Sequence, residues 1–200
     1  MTPDSFSDLA LCLVCLAIVH RSWWAQTDRA AIGLAGLLIG FAAALGVLRF
    51  STWTELGELV KGTHQFASVL AAVAGFPMLA LGIVRPDSTI ARYRAGAWWC
   101  AFVIGSFGIA VWVLGFKPWA QLVPALSALT MLVALRQSEP GRNRLLRALG
   151  IGFLFAGFTA VVLLTPTELL FGLVSRVQLL HYALVIGLSL LVIGAPRVNS

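Results

Sequence analysis

The chain has 200 residues, of which 60% are hydrophobic and only 11% are charged, and its formal net charge is +6. A soluble domain is usually about 45–50% apolar and about 25% charged, so a core of this size cannot bury the surplus of apolar surface. This composition excludes an ordinary soluble domain and predicts a single membrane-embedded domain. The positive charge does not indicate nucleic acid, because membrane insertion itself requires basic loops and no basic surface with interleaved aromatic residues is present.

Seven apolar segments are long enough to span a bilayer, since a helical crossing needs about 20 residues. They lack the alternating pattern of β-barrel strands, so we predict an all-α integral membrane protein with a bundle of seven transmembrane helices. The N-terminus lacks the basic start of a secretory signal, and the first segment is therefore interpreted as a retained span. The predicted spans are residues 7–23, 30–48, 63–84, 95–116, 119–135, 145–164 and 171–195.

The distribution of basic residues predicts the orientation of this bundle. Connections on one side of the membrane, together with the C-terminus, carry ten arginines, whereas the other side carries four arginines and lysines. Cytoplasmic loops are enriched in Lys and Arg, so the N-terminus is predicted outside and the C-terminus in the cytoplasm. The same bias favours a bacterial-type plasma (inner) membrane.

Small residues at a spacing of four predict where helices pack closely. Gly36, Gly40 and Ala44 form one such stripe on the second span, and Gly152 and Ala156 form another on the sixth. Small side chains let helix backbones approach each other in a membrane. Faint sequence echoes between spans one to three and five to seven also suggest a 3+1+3 parallel repeat, an arrangement found in some transporters.

Polar side chains concentrate in the predicted outer half of the bundle. On the last span Gln178 shares a face with His181 and Tyr182, because residues three or four apart are neighbours on a helix. Ionisable residues within a membrane usually face the bundle interior and often mark a site. We therefore predict that polar residues from several spans line one cavity. They are Asp8, Arg49, His64, Arg176, Gln178, His181 and Tyr182.

The leading functional hypothesis is non-enzymatic: a small-solute carrier or binding protein whose polar cavity opens outward, with no cofactor. A titratable His181 near Asp8 would couple binding to protons, since histidine titrates in the physiological range. Its partners would be the lipid bilayer and a small solute or protons, and no oligomer is indicated. Alternatively, His181 only hydrogen-bonds a backbone carbonyl or Gln178 and fixes helix register, as in a structural or assembly subunit.

Seven spans with histidines near the third and the last distantly resemble the membrane hydrolases that include alkaline ceramidases and progestin–adipoQ receptors. In that group three histidines hold zinc, two of them four residues apart on the last helix. Here Val177 and Val185 occupy the positions four residues from His181, so only His64 and His181 match. The resemblance implies an alternative, a membrane-embedded metal-dependent hydrolase using His64 and His181. A carboxylate, Asp8 or Glu55, would have to complete the three protein ligands that a catalytic zinc usually has.

Overall fold

The computed structural model describes residues 2–25, 29–51, 54–136, 140–163, 169–170 and 174–195, and nearly all of them are helical. A two-residue antiparallel pair, β1 (Leu169–Leu170) with β2 (Val174–Ser175), lies just before the last helix. The helices are α1 (Pro3–His20), α2 (Ala30–Arg49), α3 (Thr54–Leu70), α4 (Phe76–Val84), α5 (Thr89–Arg92), α6 (Arg94–Val113), α7 (Trp119–Leu135), α8 (Arg142–Leu163) and α9 (Arg176–Ile193).

Six helical segments of the described chain are long and apolar enough to cross a membrane. The predicted fifth span corresponds to α7, which has 17 residues. At a rise of 1.5 Å per residue α7 is about 25 Å long, short for a hydrocarbon core of about 30 Å. The protein is thus an all-helical, apolar bundle of the membrane-embedded type. The count of seven spans, the orientation and the parallel repeat stay predictions. The six candidate spans are Pro3–Ala25, Ala30–Arg49, Glu55–Val84, Arg94–Val113, Arg142–Leu163 and Arg176–Ile193.

The last helix begins five residues later than the predicted start at residue 171, because a capping box sets its first turn. Ser175 Oγ accepts a hydrogen bond from the backbone N–H of Gln178 at 3.2 Å, and Gln178 Oε1 accepts one from the Ser175 N–H at 3.3 Å. This reciprocal arrangement satisfies two amides that a helix start otherwise leaves unpaired. Residues 171–173 lie outside the described part of the chain.

The third predicted span is longer than expected and contains a widened turn. Its helix begins at Thr54 rather than at residue 63, and Glu58 and Lys61 form an exposed ion pair at 3.2 Å on its added first part. A π-helical turn, Ala71–Gly75, joins α3 to α4 immediately before Pro77. Proline has no N–H and its ring crowds the carbonyl four residues earlier, so a turn with altered hydrogen bonding is expected there.

Two residues of the small stripe predicted on the second span, Gly36 and Gly40, pack against α1. A Cβ atom built on Gly40 would lie 2.8 Å from Cys15 Cβ, and one on Gly36 would lie 3.0 Å from Ile18 Cγ2. Real Cβ atoms essentially never come as close as 2.8 Å, and a contact of 3.0 Å is tighter than nine in ten real Cβ contacts. The two helices therefore approach at a separation that only glycine permits.

The stripe predicted on the sixth span is wrong, because Gly152 and Ala156 lie on the exposed face of α8. A Cβ on Gly152 would have no heavy atom within 4 Å among the described residues. The contact with α9 is made instead by Gly150, whose Cβ would lie 2.8 Å from the backbone oxygen of Gly187. Spacing alone predicted a small-residue stripe on this helix, but it did not decide which of two neighbouring glycines faces the partner.

Candidate binding cavity

Side chains at the start of α1 attach it to the end of α2. The Thr2 hydroxyl caps α1 by accepting from the Ser5 N–H at 3.3 Å, and it donates to the Phe50 carbonyl at 2.6 Å. The Ser5 hydroxyl donates to the same carbonyl. These contacts hold the first turn of α1 in place beside the last turn of α2.

Asp4 attaches the start of α1 to the start of α9. Its Oδ1 atom accepts hydrogen bonds from Ser175 Oγ at 3.0 Å and from Gln178 Nε2 at 2.8 Å. Asp8 and His181 each lie five residues beyond the first residue of their helices, about 8 Å along the axis. Because the two helix starts are joined, Asp8 and His181 come face to face at the same depth.

Asp8, His181 and Ser7 form a buried polar cluster. His181 Nδ1 lies 3.3 Å from Asp8 Oδ1 and 3.1 Å from Ser7 Oγ, while the Ser7 hydroxyl donates to the Asp4 carbonyl at 2.8 Å. The Asp8 side chain is 1% exposed and the His181 side chain 14% exposed. Among the described residues Asp8 Oδ2 has no hydrogen-bond partner. The cluster thus retains an acceptor that the protein itself does not satisfy.

Gly46 on α2 makes room for the Asp8 carboxyl group. A Cβ built on Gly46 would lie 2.5 Å from Asp8 Cγ and 2.6 Å from Asp8 Oδ1. Real Cβ atoms essentially never approach so closely. The carboxyl group is also held by His181, whose Nδ1 lies 3.3 Å from Asp8 Oδ1, so it has little freedom to move away. A glycine is therefore required where α2 passes Asp8.

We expect the substitution Gly46→Ala to destabilise the protein by about 1–3 kcal/mol through overpacking, offset in part by the better helix propensity of alanine, about 1 kcal/mol. The matched control is Gly62→Ala on α3, where an added Cβ would have no heavy atom of the described chain within 4 Å. This variant should show only the gain in helix propensity. Unfolding in mixed micelles of mild detergent and dodecyl sulfate measures both changes. Equal effects at the two positions would contradict close packing of Asp8 on Gly46.

His64 on α3 forms a second polar cluster. Arg49 Nη1 lies 2.9 Å from His64 Nδ1, and the guanidinium carbon of Arg49 lies 5.0 Å from the centroid of the Phe50 ring. The Phe50 ring packs edge-on against His64, with centroids 5.9 Å apart. Gly46, three residues before Arg49 on α2, packs against Asp8. The end of α2 therefore positions His64 next to the Asp8 cluster.

A cavity of about 470 Å³ lies between α1, α2, α3, α7, α8 and α9, and its lining includes Asp8 and His181 of the first cluster and His64 of the second. Most of the lining is apolar, with alanines and leucines from several helices, Phe155 and Phe158 from α8, and Pro124 from α7. The widened turn before Pro77 contributes to the wall through its alanines. The described polar residues of the lining are Asp8, His64, Ser68, Gln121, Thr159 and His181.

Five of the seven residues predicted for the cavity come together at this site. Asp8, His64 and His181 line it directly. Arg49 is the hydrogen-bond partner of His64, and Gln178 is buried and bound to the α1 carboxyl group that fixes the start of α9. These last two residues position lining residues and do not line the cavity themselves.

Arg176 and Tyr182 are not among the described residues that line the cavity. Arg176 is the first residue of α9 and is half-buried at the rim of the bundle. Tyr182 is 42% exposed. Spacing predicted that Tyr182 shares a face with Gln178. In the packed bundle, however, α9 turns Gln178 toward α1 and leaves Tyr182 at the surface.

Sequence reasoning missed Ser7, Gly46 and the apolar walls contributed by α7 and α8. Ser7 offered a signal, because a serine beside a membrane aspartate at a helix start is a ready hydrogen-bond partner. Gly46 offered none, since its role depends on which α2 residue passes Asp8. In the sequence, the cavity walls from α7 and α8 look like ordinary apolar helix faces. The cavity arises only from the distance between these two helices and the others.

The geometry offers little support for hydrolytic chemistry at these histidines. Among the described residues no group of three His, Cys, Asp or Glu side chains could hold a metal ion, so the third ligand of the hydrolase hypothesis is not found. Ser7 and Asp8 both contact Nδ1 of His181. A serine nucleophile activated by a histidine–aspartate pair needs the serine and the aspartate on opposite ring nitrogens.

No protein-family model matches this chain, and neither a curated protein nor a solved structure shows significant similarity to it. The cavity and its side chains are therefore the features of this protein that indicate a function.

Proposed function

We propose that this protein is a membrane-embedded binding protein or carrier for a small amphiphilic molecule held in the cavity between α1, α2, α3, α7, α8 and α9. The observation that carries this proposal is a cavity of about 470 Å³ that combines a mostly apolar wall with a few polar side chains, among them Asp8, His64 and His181. Ligand sites are typically about 300–1,000 Å³, mostly apolar, with a few polar groups that orient the ligand.

The composition of the wall favours an amphiphile over a fully polar solute. A sugar or an ion that entered the cavity would lose its hydration against Leu11, Phe155 and Phe158, which offer no hydrogen bonds in return. Transferring a polar group from water without a partner is costly. A molecule with an apolar body and one polar end loses little hydration free energy on entry. Its body fits the apolar wall and its polar end fits the polar side chains.

The rim of the cavity supports an approach from the lipid. Leu122 on α7 and Val162 and Leu163 on α8 line the cavity and are 44%, 67% and 73% exposed. These side chains belong to apolar helix faces that would meet acyl chains in a bilayer. We therefore propose that the ligand passes from the bilayer between α7 and α8. With the orientation predicted from the arginine distribution, this opening lies in the outer half of a bacterial-type plasma membrane.

A photoreactive probe tests this function directly. A short alkyl chain carrying a diazirine, applied to the protein in lipid nanodiscs, should attach to cavity residues of α7 and α8 when illuminated. We expect Ala125→Phe, which fills the cavity wall, to reduce labelling there several-fold, because the probe and the added ring compete for one space. Mapping the adducts by mass spectrometry measures the change.

The matched control is Ala156→Phe, which adds the same ring to the exposed face of α8 outside the described lining. It should leave cavity labelling unchanged. Labelling spread evenly over exposed side chains such as Phe102 and Phe107, and insensitive to Ala125→Phe, would contradict a binding cavity.

A further inference from the structure

The unsatisfied oxygen of Asp8 indicates what the cavity binds. Asp8 Oδ2 is fully buried, belongs to a side chain that lines the cavity, and has no hydrogen-bond partner in the described chain. Buried polar atoms are almost always paired, and a buried carboxylate oxygen without a donor is costly. The partner of Oδ2 is therefore expected to come from a molecule in the cavity, and it must donate a hydrogen.

The neighbours of His181 determine which of its nitrogens carries hydrogen. The Ser7 hydroxyl donates its only hydrogen to the Asp4 carbonyl, so Ser7 Oγ can only accept from His181 Nδ1. The carboxylate oxygen of Asp8, on the other side of Nδ1, is an acceptor as well. Nδ1 must therefore carry the hydrogen, and in the neutral ring Nε2 is an acceptor. This cluster presents acceptors to the cavity.

His64 has the opposite arrangement. Its Nδ1 lies 2.9 Å from Arg49 Nη1, and a guanidinium group can only donate. Nδ1 of His64 is therefore an acceptor, the ring is neutral, and its Nε2 carries the hydrogen. His64 is thus a hydrogen-bond donor in the same lining that contains the acceptors of Asp8 and His181.

We propose that the ligand is an amphiphilic alcohol, an apolar molecule whose polar end is a neutral hydroxyl group bound between Asp8, His181 and His64. This inference rests on the proposed binding function. A hydroxyl has one hydrogen and two lone pairs, so it can donate to Asp8 Oδ2 and accept from His64 Nε2. An ammonium group has no lone pair for His64 and would lie near the Arg49 guanidinium. A carboxylate or an ether only accepts and would leave Asp8 Oδ2 unpaired.

A headgroup series tests the proposal on the unaltered protein. An alkanol, its methyl ether, the alkylammonium ion and the alkanoate, all with one chain length, compete with a diazirine-labelled alkane in nanodiscs. The alkanol should compete about tenfold better than the methyl ether, the difference expected for one hydrogen bond to a charged oxygen. The ammonium ion and the alkanoate should compete less well than the alkanol at equal concentration in the bilayer.

The outcomes separate this inference from the proposed function. Equal competition by all headgroups would contradict an alcohol ligand but not the binding cavity. A preference for the ether, the ammonium ion or the alkanoate would have the same meaning. Failure of every compound to displace the probe from cavity residues would overturn both. An advantage for the alkanol that is equally large at lipid-facing residues would likewise overturn both.

Asp8→Asn provides a second, independent measurement. Its amide oxygen can replace Oδ1 beside His181, which places an N–H donor where Oδ2 was. The alkanol's advantage over the methyl ether should then fall to about one, because an ether oxygen can accept from the amide. An unchanged tenfold preference would overturn the role of Oδ2. If this variant does not fold, the headgroup series on the unaltered protein decides.

Discussion

Replacement of His181 by leucine is expected to lower the free energy of unfolding by about 1.5–3 kcal/mol, the contribution typical of a hydrogen bond to a buried charged group. The reason is Asp8, whose side chain is 1% exposed and whose Oδ1 contacts His181 Nδ1 at 3.3 Å. With Oδ2 already unpaired within the described chain, leucine would leave the whole carboxyl group buried without a partner. Unfolding in mixed micelles measures the change.

The pair Asp8→Leu and His181→Leu completes a double-mutant cycle. If the buried carboxyl group causes the loss, the double variant should be more stable than His181→Leu alone, because two apolar side chains then face each other. Ser189→Ala on the same helix serves as a control, since the Ser189 hydroxyl only donates to the Val185 carbonyl one turn earlier. Additive losses in the double variant would show that the two residues do not act as a unit.

The second large effect is expected at the contact between α8 and α9. Gly150→Val should destabilise the protein relative to Gly152→Val by at least about 1–3 kcal/mol, because the added side chain meets backbone that cannot rotate away. A Cβ on Gly150 lies 2.8 Å from the Gly187 oxygen and 3.1 Å from the Leu191 nitrogen. At Gly152 the described chain offers no atom within 4 Å.

The two variants place the same valine two residues apart on one helix, so the intrinsic cost of valine in a helix cancels in the comparison. A thiol-reactive dye can measure the difference in the midpoint temperature of unfolding, because it reports when the cysteines become exposed during heating. Cys15 is buried, and Cys12 and Cys100 are half-buried. Because α9 also carries His181, Gly150→Val should weaken probe binding in the cavity. Equal midpoints for the two variants would contradict the close contact of α8 with α9.

The apolar segments and the polar residues within them could be predicted from the sequence for physical reasons. Runs of about 20 apolar residues require helices, because backbone groups in lipid must pair internally. Asp8 and His181 stood out because ionisable groups are costly in such runs and must find partners inside the bundle. The first residues of the helices were harder to predict from the sequence. The capping box of Ser175 and Gln178 was present in the sequence, but hydrophobicity alone placed the start of α9 five residues too early.

The sequence by itself thus determined an all-helical, apolar bundle and the polar residues that a site would use, since both depend on local composition and spacing. Only the tertiary structure decided which of those residues meet. Hydrogen bonds from Asp4 to Ser175 and Gln178 bring Asp8 opposite His181, whereas Tyr182 faces outward. The cavity is also a tertiary property. It exists because α7 and α8 stand apart from α1, α2 and α3 around Asp8, and a distance between helices has no local signal in the chain.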